Sequence, residues 1–142
     1  MRRALPLLAL LAALLAPASA VAASSLLSVS PQKVNFGHKT VGTTTFKTIT
    51  VTNTSDSSLL VHIDGGLPDD FGWGGLTPDD VCVFSPGDVL DPGESCQAFV
   101  RYSPSEFFAG RRQNGTLQVT AFDPATLEPL ETTVVAITGT GK

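Results

Sequence analysis

Two cysteines, Cys82 and Cys96, are the first residues in this chain with a chemistry of their own. In an exported protein such a pair reads as a disulfide. Here it closes a loop of about 15 residues, worth about 3 kcal/mol by chain entropy. A redox or metal pair is the rival reading. It lacks support, because there is no C-x-x-C spacing and the chain holds only two histidines, His38 and His62. The acids Asp64, Asp69, Asp70, Asp79 and Asp80 crowd a glycine-rich stretch. With loop carbonyls they could supply hard oxygen ligands to calcium. Their spacing matches no EF-hand, and solvated loop acids are the ordinary reading. Adjacent acids also cannot face each other across a cleft, as glycoside hydrolysis requires. Serines are plentiful, but no G-x-S-x-G occurs and neither histidine carries a triad signature. No catalytic residue and no cofactor is assigned, and the chain reads as a non-enzyme.

Two aromatic groups could bind a partner instead. Phe71 and Trp73 sit among Gly72, Gly74 and Gly75, which give the indole no local cover. Trp73 either folds down as a lid over the end of the domain or stands out as an anchor for a partner. Phe107-Phe108 follows a proline stop and precedes Arg111-Arg112. At least one of these phenylalanines is expected to close the core, with the arginines solvated.

The elements that must position these residues are strands. Helical periodicity is absent after residue 20, and short β-branched and aromatic runs alternate with Gly, Pro, Asp and Asn. Thr44 to Asn53 is the clearest strand, with Ile49 and Val51 on one face and threonines on the other. Leu59 to Ile63 follows, with His62 on the solvent side, and the two are expected to pair as a hairpin. Asp64 to Asp80 reads as a long loop. Val81 to Phe84 is a brief strand, Asp91-Pro92-Gly93-Glu94 a turn, and Ser95 to Tyr102 the next strand. Strands at Leu26–Ser30, Val34–Phe36, Leu117–Ala121 and Thr132–Gly139 complete seven to nine. The fold class is all-β: an immunoglobulin-like antiparallel β-sandwich with one disulfide.

Residues 1–20 read as a signal peptide. Arg2-Arg3 precede an Ala/Leu run of about 13 residues, and Ala18-Ser19-Ala20 offers a small-x-small cleavage site. The run is too short for a bilayer, which needs about 20 apolar residues. No cysteine follows for a lipid anchor, and no C-terminal anchor is expected. Residues 21–25 form a short linker and 26–142 one domain. Two of the nine Lys+Arg lie in the leader, leaving seven against thirteen acids, a net charge of about −6. An acidic domain is a poor partner for nucleic acid or anionic lipid.

Several ordered motifs resemble a known family. They are Val29-Ser30-Pro31, Val34-Asn35-Phe36-Gly37, Val41-Gly42, Ile49–Thr54, Leu90–Cys96, Val100–Pro104 and Gly139-Thr140-Gly141. Together they resemble the ASH (abnormal-spindle, SPD-2 and hydin) domains and the bacterial choice-of-anchor D modules, over about residues 26–141. The resemblance implies a sandwich related to major-sperm-protein and pilus-chaperone domains, without catalytic residues. It implies a structural or protein-binding role. The expectation is therefore an exported module in the periplasm or cell exterior. It would bind a protein partner of the cell envelope through a strand edge or end loops, with no stable membrane insertion after cleavage. A binding module for calcium or a glycan, using Asp64–Asp80, is the alternative.

Overall fold

The computed structural model describes residues 24–74, 82 and 88–142. The expected leader (1–20), most of the linker and Asp79, Asp80 and most of the Val81–Phe84 strand lie outside them. The described residues form nine strands: β1 (Leu27–Ser30), β2 (Lys33–Lys39), β3 (Thr45–Asn53), β4 (Leu59–Gly66), β5 (Phe71–Gly74), β6 (Asp88–Leu90), β7 (Ser95–Tyr102), β8 (Arg112–Phe122) and β9 (Pro129–Gly141). A 3-10 turn, Glu106–Phe108, lies between β7 and β8.

Two sheets pack face to face. One has the order β1-β3-β7-β5, the other β2-β9-β8-β4-β6. The sandwich expected from the strand pattern is present, with two differences. The first is that β2 and β9 run parallel, while every other pair is antiparallel. Pro31 is the cause: it has no N–H to donate, so the ladder of β1 stops and the chain crosses to the other sheet. The second is that β3 and β4 do not form a hairpin. They lie in different sheets and turn their apolar sides, Ile49/Val51 and Leu59/Val61/Ile63, onto one core from opposite faces. The segment 54–58 therefore arches over the sandwich end.

Asn53 makes that arch. It is fully buried at the end of β3. Its Oδ1 accepts from Ser55 N and Ser55 Oγ, and its Nδ2 donates to the carbonyls of Ser57 and Leu90, each at 2.8 Å. Its backbone bonds Gly93 and Glu94 in the Asp91–Glu94 turn. That turn closes through Glu94 N to Asp91 O at 2.9 Å, with Gly93 at φ 83° as the position after proline requires.

At the opposite end the core is aromatic. Tyr102 stacks on Phe71 at 4.5 Å and meets Phe36 at 5.4 Å. Its ring lies so close to Gly139 that a Cβ there would sit 2.7 Å from it.

Candidate interaction surface

The Asp64–Asp80 stretch is not the long loop its composition suggests. Asp64, Gly65 and Gly66 complete β4, and Phe71–Gly74 form β5 on the edge of the four-stranded sheet, against β7. The alternation was present in the sequence: Phe71 and Trp73 turn inward while Gly72 and Gly74 face out. Phe71 is 5% exposed and belongs to the aromatic core, so it is unavailable as a contact for a partner. Trp73 is half-buried and packs against the core, with its Nε1 3.5 Å from where a Cβ on Gly65 would lie. Beyond β5 the same edge is continued by Cys82, whose N–H donates to Gln97 O at 3.0 Å. The Cys82–Cys96 disulfide holds it there, as the sequence led one to expect. A short edge strand and a covalent staple blunt this side against added strands.

The described acids of this stretch do not gather. Asp64 and Asp69 are exposed, while Asp70 is turned inward. Its Oδ2 accepts from Ser105 N at 3.1 Å and from Gln113 Nε2 at 2.5 Å, and its carbonyl accepts from Ser103 N. Burial pushes the Asp70 carboxyl up. Donation from the Gln113 side chain, the Ser105 backbone and the Ser105 side chain outweighs burial and holds it below its ordinary range. Burial, and then the Asp70 charge, push the neighbouring Tyr102 phenol up. Asp70 thus knots β5, the end of β7 and the start of β8 together. Among the described residues no three acids, histidines or cysteines stand close enough to share a metal ion.

Phe107 and Phe108 also depart from expectation. Neither closes the core: the 3-10 turn buries no residue, and Phe107 is 78% exposed, edge-on to Phe108 at 4.8 Å. The turn is too short to reach over the sandwich end, which Tyr102 and Pro104 already fill.

An apolar surface forms where the sequence showed none. On the outer face of the five-stranded sheet, Val89 of β6, Leu60 of β4 and Phe122 of β8 stand in one cross-strand row. Leu60, His62, Phe122 and Leu127 line a groove of about 230 Å³. Leu127 is 63% exposed and sits at φ 59°, a left-handed conformation that costs a leucine. Asp123 enforces it. Its carboxylate accepts from Ala125 N and Thr126 N, its carbonyl from Leu127 N, and its N–H donates to Glu128 O. Val89, about half exposed, carries the patch to β6, the last described strand on that side of the sheet. Single exposed hydrophobes need no explanation; a row of them beside a strained leucine does.

The arrangement of strands can now be set beside known proteins. No protein-family model matches the chain, and no curated protein matches it in sequence. Solved structures do match. A human CEP192 domain, described as an ASH/PapD-like domain, superposes with a TM-score of 0.58 at 13% identity, over 96% of this chain and 98% of that one. The fold is that of an ASH/PapD-like domain. The Caenorhabditis elegans major-sperm-protein family member WR4 matches this chain at 12% identity and a TM-score of 0.53, over 84% and 100% of the two chains. The Escherichia coli chaperone DraB matches at 19% identity and a TM-score of 0.54, over 80% of this chain and 53% of its own. The chain thus spans about half of that chaperone.

Proposed function

We propose that the chain is an exported, non-enzymatic interaction module that holds a protein of the cell envelope against the outer face of its five-stranded sheet. The observation that carries this is the Val89–Leu60–Phe122 row with Leu127 fixed above it. A strained, preorganised apolar side chain beside a groove is what a binding hot spot needs, since little ordering entropy remains to be lost on contact. The adjoining edge of β6 offers backbone donors and acceptors to the same partner. Two structural neighbours support a protein as the ligand: the Salmonella enterica SafB chaperone is seen in complex with the SafA pilin, and CsuC with the tip adhesin subunit CsuE. Export is supported by the leader-like residues 1–20 and by a disulfide that persists in oxidising compartments.

A photo-crosslinking residue at Leu127, in the producing cell, tests the reading. A discrete crosslinked protein is expected from Leu127, and none from Thr50 on the outer face of the other sheet. The same products from both positions, or none from either, would sink it.

A further inference from the structure

The charges of the domain are sorted by end. At the end where β3 finishes and β4 begins lie Asp56, Asp91, Glu94, Asp123, Glu128 and Glu131, and, among the described residues, no lysine or arginine. At the other end lie Lys39, Lys47, Arg101, Arg111, Arg112 and Lys142. They outnumber the described acids there, Asp69, Asp70 and Glu106. Among the described charges, Lys33, Asp64 and Asp88 lie between the ends.

Each end carries one apolar feature that fits the other. The acidic end holds the groove of Leu60, His62, Phe122 and Leu127, and Asp123 and Glu128 are the chain neighbours of its Phe122 and Leu127. The basic end holds Phe107, a projecting ring with nothing packed over its exposed side. Gly110 N to Gly141 O and Lys142 N to Lys39 O tie the Phe107 turn into the cationic strand ends, and Arg111 donates its N–H to Phe108 O.

We propose that the occupant of the groove is a second copy of this chain, bound head to tail. Phe107 of one copy enters the groove beside Leu127 of the next, and Arg111 and Arg112 face Asp123 and Glu128. This rests on the interaction reading above and names its partner. The contact is heterologous, joining two different patches, so each copy keeps one free groove and one free Phe107. Copies then add in a row or close into a ring, according to the rotation at each contact. Complementary charge fixes the register and speeds encounter, while the apolar insertion supplies the holding power.

The test is sedimentation velocity on the full chain, produced with its leader and purified as it accumulates. The sedimenting mass is expected to grow with concentration at about 0.1 M salt. The association should weaken by at least about tenfold at about 1 M, where screening shortens from about 10 to about 3 Å. Phe107→Asp and Leu127→Asp each remove one half of the contact at an exposed site. Aspartate tolerates φ > 0 better than leucine does, so the second variant keeps its fold. Each variant alone should run as a single chain. Mixed, they should give a species of two chains and nothing larger, since one intact groove and one intact Phe107 remain. A wild-type chain that stays single, variants that still associate, or a mixture that does not pair would each overturn the proposal. If the wild type stays single while Leu127 still crosslinks to another protein, the second copy is excluded and the interaction reading stands.

Discussion

Asn53 and Leu90 join the two sheets: the side-chain amide at the end of β3 donates to the carbonyl at the end of β6 over 2.8 Å. Neither strand touches the other in a ladder, so this bond and its companion to Ser57 hold the arch at the head of the sandwich. Asn53→Leu takes that partner from two carbonyls and from the Ser55 N–H, and the bond lost to Leu90 is a buried one. A loss of about 2–4 kcal/mol is expected in urea unfolding, by the cost of buried unsatisfied groups. Asn53→Asp should lose stability as well, since a carboxylate would face two carbonyl oxygens. Wild-type stability in Asn53→Leu would show that the arch is held otherwise.

Gly139→Ala probes the aromatic end. The added methyl would lie 2.7 Å and 2.8 Å from two ring carbons of Tyr102, which cannot retreat from Phe71 and Phe36. Overpacking of about 1–3 kcal/mol is expected. The double variant with Tyr102→Leu should recover part of this, and a strictly additive pair would argue against the clash.

Acid should weaken the fold through two carboxylates. Burial pushes both Asp70 and Glu131 up, but hydrogen-bond donors win in each case and hold them below their ordinary values of 3.8 and 4.5. For Asp70 the donors are Gln113 and Ser105. For Glu131 they are Ser25, Leu26 and Leu27, which the carboxylate fastens at the start of β1. Both groups bind a proton less readily folded than unfolded. Their stabilisation is complete above the ordinary values and is lost as pH falls through the lower folded ones. The urea midpoint should therefore drop below about pH 4.5. Asp70→Asn should be weaker at pH 7 and lose less on acidification; an acid slope equal to wild type would contradict the Asp70 assignment.

Reducing the disulfide should cost about 3 kcal/mol, the chain-entropy value for a loop of about 15 residues. Cys82→Ser with Cys96→Ser should show the same loss and make it insensitive to reductant. A loss far below this in both would mean that the Cys82 N–H bond to Gln97, with local packing, already holds the segment.

Strands with one solvated face were legible. The alternation in β3, β4 and β7 gave their bounds to within a few residues, and it placed His62 outside correctly. Partner choice was not legible, because β3 and β4 carry patterns that fit a hairpin and a facing pair equally well. The strand β5 escaped because its outward positions are glycines, which read as a loop. Its Phe71 went inward for the same reason that Trp73 did: both share the parity of Val100 and Tyr102 opposite. Asp70 escaped because the donors that make its burial tolerable, Ser105 and Gln113, are 35 and 43 residues away. The apolar row was invisible for a similar reason. Val89, Leu60, Phe122 and Leu127 come from three strands and a turn, and each alone is an ordinary surface hydrophobe. No local signal marks φ > 0 at Leu127, where sequence habit would put glycine or asparagine.

If a partner sits on the outer face of the five-stranded sheet, the Leu127 face is covered when the protein is at work and open when it is dilute. Maleimide labelling of Leu127→Cys and of Thr50→Cys, in the producing cells and after purification to high dilution, measures this directly. Leu127→Cys is expected to label in dilute solution and to be protected in the cell, while Thr50→Cys labels in both. Equal labelling of Leu127→Cys in the two settings would contradict the account.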